Sequence, residues 1–347
     1  MNGRLDKQDA DPLSPPRPVE AYRDSETEAW VLSRYADVLA AFREPGLRMG
    51  SGGSKDPPEI SGANRQRQIR SETMAALSAS NLARWQAQVE RVAFVLIDRL
   101  PRDRPVDIVR EFARPWSLSA AIIVTGVDPA DSERLESLAA KVSLATADPS
   151  NSAHQRDMAA ANTELKLSLQ NSAIPMSGPA FVALSQTLPC FLANAWLALL
   201  RHPSELARLR SEPGLMPRAI EELLRYAGIA QKVSRYATAH LTLGATSIEQ
   251  GGRVILMLAS ANRDPGQFPV PDRLDLTRRT SGHVAFGLGT HSCVAATLIR
   301  TMAAVATRAF VEGFAEGHNN DAIEWQGGSG FRWASSLYVS LTKVTVR

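Results

Sequence analysis

The chain has 347 residues, 44% of them hydrophobic, which is enough to bury a sizeable core as one large domain or two. Its formal charge of +3 is the small remainder of 39 basic and 36 acidic side chains, and no zinc-finger spacing accompanies it, so nothing argues for nucleic acid. With only two cysteines, Cys190 and Cys293, a disulfide framework is excluded and a reducing cytoplasm fits.

Residues 1–20 are rich in proline and charge, with none of the apolar run of a signal peptide. They read as a flexible segment ahead of a single domain over 21–347. A short strand is predicted at 30–35 and a helix at 36–43. Residues 50–58 form a loop of Gly, Ser and Pro. Apolar positions recur at helical spacing over 64–100, as two helices, and again over 115–125, 131–146 and 157–169. Two prolines and a glycine in 172–179 break the pattern. Residues 180–200 are apolar and about long enough to span a membrane, yet Ser185, Gln186, Thr187, Pro189 and Asn194 interrupt them. The expectation is a buried central helix in a soluble protein.

Helices follow at 204–211 and 216–226, then short strands at 241–243 and 254–258 and a turn-rich stretch over 261–275. A cysteine-bearing loop precedes a helix predicted at 294–310, and a terminal hairpin is expected over 331–346. Helix dominates and strand is minor, so the fold class is mainly α with minor β.

The richest stretch is Phe286-Gly287-Leu288-Gly289-Thr290-His291-Ser292-Cys293. Two glycines let the backbone turn tightly and approach a flat ligand closely. The helix that follows points unpaired amides and its positive dipole end toward the sulfur. Helix N-termini and bound metals both favour the thiolate, the form that ligates. On these eight residues two readings stand side by side, a metal ligand and an inert loop cysteine.

The stretch resembles the haem-ligating loop of the cytochrome P450 family, Phe-Gly-x-Gly-x-His/Arg-x-Cys-x-Gly. Phe286, Gly287, Gly289, His291 and Cys293 match in register, and Ala295 stands where the family has its last glycine. His283 also matches a histidine common in bacterial members. The resemblance implies a single domain around a buried haem b, with Cys293 as its axial thiolate. It extends to Glu222 and Arg225, which fill a Glu-x-x-Arg motif, and to Pro271-Asp272-Arg273-Leu274 in the place of Pro-x-Arg-Phe. It thereby implies a buried Glu222–Arg225–Arg273 network that locks the cysteine loop. The implied binders of the haem propionates are His291, Arg235 and Arg70, with Gln66 replacing the histidine that usually precedes Arg70.

The central helix departs from the family. Counting back from Leu199-Leu200-Arg201-His202-Pro203, the oxygen-binding Ala-Gly-x-acid-Thr motif falls on Ala183-Leu184-Ser185-Gln186-Thr187. Thr187 is kept, Leu184 adds bulk where dioxygen would sit, and Gln186 cannot cycle a proton as a carboxylate does. Pro189 removes a helical bond to Ser185, giving a widened groove or a simple packing kink. Between 170 and 180 the chain is shorter than in ordinary members, which implies an abbreviated distal roof. Substrate-facing positions are expected at Ala183, Ile229 and Val233, within 228–233, and in 331–337.

The resemblance implies a cytoplasmic monooxygenase that hydroxylates a small, secondary-metabolite-like substrate. It would use dioxygen and electrons from a ferredoxin-type donor, with Thr187 and Gln186 managing oxygen and protons. Alternatives are a peroxide-driven or redox-neutral haem enzyme, and a haem-binding protein with little catalysis.

Overall fold

The computed structural model describes residues 13–49, 71–73, 75–149, 151–170, 172, 174, 177–279, 282–289, 292–313 and 323–340. Strands β1 (Tyr22–Arg23) and β2 (Trp30–Leu32) open it, followed by α1 (Tyr35–Arg43) and β3 (Leu47–Arg48). Next come α2 (Ala79–Asp98), β4 (Val106–Asp107), α3 (Arg114–Thr125), α4 (Ser132–Ala147) and α5 (Ser152–Ser168). The central helix is α6 (Ser177–Val182), a π turn (Ala183–Thr187) and α7 (Leu188–Arg201) in unbroken succession. Then follow α8 (Pro203–Ser211), α9 (Met216–Ala227), β5 (Lys232–Ala237), β6 (Leu241–Leu243), β7 (Thr246–Ile248) and β8 (Arg253–Met257). The last elements are α10 (Leu258–Ala261), α11 (Ala296–Gly313), β9 (Trp325–Gly327), β10 (Arg332–Ala334) and β11 (Tyr338–Val339).

Local sequence explains several boundaries. Ser78 accepts a hydrogen bond from Asn81 N–H to cap α2, and Asn151 takes the amides of Ala153 and His154 to start α5. That cap places the start of α5 at Ser152, ahead of the predicted 157. Gly126, at φ 71°, ends α3 in the left-handed conformation that glycine adopts without strain. Pro179 lies inside the first turn of α6, where proline is tolerated, so the predicted break ends at Ser177.

The membrane-length helix belongs to the core. In Ser177–Arg201 the most apolar window is 83% buried inside the fold. Within α7, Trp196 stacks between Phe112 and Phe310, with centroids 5.8 and 4.8 Å away, and its indole N–H donates to Thr307 Oγ1 at 3.3 Å. This aromatic stack joins the segment before α3 to α7 and α11, the layer beneath the site.

A five-stranded sheet in the order β1-β2-β8-β5-β3 flanks the helices, with β2 and β8 parallel and the other neighbours antiparallel. Among the described residues, the strands of the region expected to form a terminal hairpin over 331–346 take other partners. β10 pairs with β9, and β11 pairs with β4, Tyr338 facing Asp107. The Asp107 carboxylate fixes this crossing by accepting from Leu337 N–H at 3.1 Å. Residues 341–347 lie outside the described residues.

Candidate active site

The cysteine loop is closed by its own backbone. Cys293 N–H donates to Phe286 O at 2.8 Å and Gly287 N–H to Val284 O at 2.9 Å. Gly287 and Gly289 take φ of 64° and 71°, as a tight turn requires. A Cβ on Gly289 would lie 3.3 Å from Phe42 O, so the loop approaches the end of α1 closely. Cys293 is exposed, and Ala295 is buried at the mouth of α11. The helix begins at Ala296, two residues later than predicted. His291, Gln66 and Arg70, expected to hold an anionic ligand, lie outside the described residues.

Glu222 and Arg225 are both fully buried. They pair through two bonds, Nε to Oε2 and Nη2 to Oε1, each 2.8 Å. Glu222 Oε1 also accepts from Asp275 N–H and from Arg278 Nε, each at 3.1 Å. Arg225 Nη1 donates to Asn262 O at 2.8 Å and Pro271 O at 2.9 Å. The expected third cation is therefore corrected. The guanidinium that reaches Glu222 is that of Arg278, while Arg273 is exposed and contributes its carbonyl, accepting from Arg278 Nη2 at 3.0 Å. The turn over 273–278 explains the exchange, because it folds Arg278 back under the carboxylate. Asn262 continues the network to the cysteine loop by accepting Val284 N–H at 2.8 Å.

A second ion network was not read from the sequence. Glu221 accepts from Arg300 Nε at 2.6 Å, and its other oxygen lies 3.1 Å from His283 Nε2. Arg300 also sits 4.8 Å above the Phe286 ring, so α9 and α11 grip the loop from both sides. The available signals were His283 and the doubled glutamate.

Burial alone would raise the Glu221 carboxyl, but bonds from His283 and Arg300 outweigh it and hold the group at about 2 against an ordinary 4.5. A carboxyl depressed by folding stabilises above its unfolded value and loses that contribution as pH falls through the folded one. Glu221→Gln is therefore expected to flatten the acid limb of the stability curve between pH 4.5 and about 2. The effect is about 1–2 kcal/mol once solvent screening of this half-exposed group is allowed for. Urea midpoints across that pH range would check it; an unchanged acid limb would show the pair to be energetically idle.

Arg235 lies on β5 and is buried. Its guanidinium donates to the Ser234 carbonyl at 2.8 Å and sits 5.4 Å from the Phe42 ring. Among the described residues no carboxylate pairs with it, and desolvation pulls its pKa below the usual arginine range. A buried cation so placed calls for an anionic partner.

The π turn lies on the central helix. Pro189 has no N–H to offer Ser185 O, and just ahead of it the helix widens, with Leu188 N–H bonding Ala183 O. Of the two readings of Pro189, the widened groove is the one observed. Ala183 and Thr187 are half-buried, whereas Leu184, Ser185 and Gln186 are buried. Leu184 is fully buried in the main core cluster, against which Ala183 and Phe286 of the cysteine loop also pack. Gln186 is 8% exposed, and its amide has no hydrogen-bond partner among the described residues. Ser185 Oγ is buried and equally unpartnered.

α4 packs against this turn and α5 packs along α4, so a helical pair covers it. Of the expected substrate positions, Ala183 and Ile229 meet the main core cluster, while Val233 packs on the smaller cluster around α1 and β8. Ala230 bridges to Phe331, bringing the loop after α9 against the C-terminal loop.

A family model described as cytochrome P450 matches residues 205–315. Mycinamicin VIII C21 methyl hydroxylase of Micromonospora griseorubida is 30% identical over 328 residues, 82% of this chain and 81% of that protein. The 6-deoxyerythronolide B hydroxylase of Saccharopolyspora erythraea is 29% identical over 365 residues, 89% of each. Among solved structures, the LnmA cytochrome P450 hydroxylase of Streptomyces atroolivaceus has a TM-score of 0.74 at 28% identity, covering 90% of both chains.

Proposed function

The chain belongs to the cytochrome P450 family, and on that premise we propose that Cys293 is its haem ligand and that the enzyme hydroxylates a small organic molecule. Family membership makes it a haem-thiolate oxidoreductase. The observation that carries the residue assignment is the contrast between the two cysteines. Cys190 is buried in α7, donates its S–H to Gln186 O at 3.0 Å, and is pushed up to about 12 by burial. It cannot serve as a thiolate. Cys293 is exposed, follows the two left-handed glycines, and precedes α11.

The cradle suits haem on a second count. Among the described residues the buried Arg235 guanidinium has no carboxylate partner, and a propionate would supply one. A haem held there would supply the redox chemistry of monooxygenation, in which dioxygen, two electrons and two protons leave one oxygen atom in a C–H bond and the other in water. The residues of the chain do the rest. Cys293 would donate electron density as thiolate, and the Glu222 and Glu221 networks brace its loop. Thr187, half-buried on the wide turn, offers a hydroxyl that would hold or pass a proton. The Gln186 amide can orient water but cannot cycle a proton.

The substrate class rests on the relatives named for hydroxylating mycinamicin VIII and 6-deoxyerythronolide B, and we extend it here to a compact, largely apolar molecule. Electrons would come from a ferredoxin-type donor in the cytoplasm. A second reading, turnover driven by peroxide, is favoured by one feature: no carboxylate stands on the π turn.

Reconstitution with a ferredoxin system tests the first reading against the second. Product formed only with reduced ferredoxin and dioxygen supports the monooxygenase, and product formed only with peroxide supports its rival. In the same assay Gln186→Glu is expected to raise dioxygen-dependent turnover about tenfold or more, with peroxide-driven turnover unchanged. Equal rates in both proteins would place proton delivery elsewhere.

A further inference from the structure

A glycine-rich loop near the C-terminus holds the end of a roof helix. α4 ends at Ala147, whose carbonyl has no partner inside the helix. That carbonyl accepts from two successive amides of the loop, Gly330 N–H at 3.0 Å and Phe331 N–H at 3.3 Å. The other side of the loop is fixed to the core. Gln231 N–H donates to Gly330 O at 2.8 Å, and Arg332 N–H to Ile229 O at 2.9 Å. Asn194 on α7 accepts from Ala334 N–H at 3.0 Å and donates to Arg332 O at 3.1 Å.

The fit against α4 leaves no room for a side chain. A Cβ on Gly328 would stand 2.7 Å from both Ala147 O and Asp148 Cβ, and one on Gly330 would stand 3.1 Å from Ala147 O and 3.2 Å from Thr146 O. Gly327, at φ 110°, turns the chain into this position, where a Cβ would run into Phe331 O. α5 is fastened at the same end, Gln155 Nε2 donating to Ala145 O at 2.8 Å. Whatever holds Ala147 therefore holds both roof helices.

We propose that the 327–331 loop is a latch: its amides hold α4 and α5 down over the π turn, and release of Ala147 O opens the way to the site. The proposal rests on the haem-site reading above for its functional meaning. Its mechanical part does not, because the motion of α4 and α5 can be measured without haem. Two backbone bonds of ordinary strength shift an open–closed balance by about tenfold.

The test uses two variants of the haem-loaded full chain. Gly328→Ala forces the loop away from Ala147. Asp148→Cys with Gly328→Cys fastens it: the two Cβ positions lie 2.7 Å apart, and about an ångström of give reaches disulfide geometry. Stopped-flow binding of 4-phenylimidazole reports entry of a bulky ligand, carbon monoxide that of a small one, and hydrogen exchange reports α4 and α5. Gly328→Ala is expected to speed 4-phenylimidazole about tenfold and to raise exchange across both helices, with carbon monoxide unchanged. The cross-link is expected to slow 4-phenylimidazole about tenfold, reversibly on reduction. Unchanged entry in both variants, or faster exchange confined to 327–331, would overturn the latch. Should the Gly328 variants fail to fold, Gly330→Ala, whose Cβ would meet Ala147 O at a milder 3.1 Å, replaces them with the outcomes given for Gly328→Ala. A chain that binds no haem overturns the site reading instead, and exchange over α4 and α5 then decides the latch.

Discussion

Glu222→Ala is expected to yield a protein that loads little haem and unfolds at much lower urea. The carboxylate accepts four bonds, two from Arg225, one from Arg278 and one from the Asp275 amide, at 2.8 to 3.1 Å. With both Glu222 and Arg225 side chains 0% exposed, truncation leaves a buried guanidinium with no counter-charge and no water. Breaking one partner of a buried pair typically costs about 3–5 kcal/mol, a large part of the roughly 5–15 kcal/mol that holds a domain together. The damage also spreads to the site. Arg225 orders Asn262 O and Pro271 O, and the Asn262 side chain holds Val284 N–H, two residues before Phe286. Glu222→Gln keeps the shape and loses the charge, so it should fall between wild type and alanine. Urea midpoints and haem stoichiometry of the purified proteins would measure this. A fully loaded Glu222→Ala protein with an unchanged midpoint would remove the network from the account.

Cys293→Ala is expected to abolish turnover while leaving the fold in place. The thiol is exposed, and the bonds that close its loop, Cys293 N–H to Phe286 O and Gly287 N–H to Val284 O, are made by backbone that alanine retains. Loss of the thiolate removes the electron donation that favours O–O cleavage, so residual activity should be at least about a thousandfold lower. Cys190→Ala supplies the contrast. It removes a buried thiol from α7 and should cost about 1 kcal/mol of stability with turnover kept. Circular dichroism and turnover of the two variants would separate the roles; equal activity loss in both would argue for collapse of the helix layer instead.

The parts of this molecule that could be read from sequence are those governed by short-range pattern. α8 and α9 fall within a residue of their predicted bounds, because an apolar stripe at helical spacing marks them. The cysteine loop and Glu222–Arg225 were legible for the same reason, each being fixed by spacing within a few residues. What spacing does not encode was missed. β11 is two residues long, and its partner β4 lies far upstream, so local pattern suggested a hairpin and gave no hint of this long-range pair. β5 was read only as the bearer of Arg235, although it lies between β8 and β3 in the sheet. Arg278 reaches Glu222 through a turn without periodicity, which gave Arg273 the better claim on sequence alone. The widened turn was half legible: Pro189 announced a lost bond, but whether the helix would bend or widen depended on packing against α3 and α4.

Whether Cys293 holds a haem as its thiolate ligand is decided by the absorption spectrum of the reduced protein under carbon monoxide. The red-shifted Soret band of a thiolate-ligated haem is expected in the wild type, retained in Cys190→Ala and lost in Cys293→Ala. A wild-type band at the position of a nitrogen-ligated haem, or a red-shifted band that survives in Cys293→Ala, would contradict it.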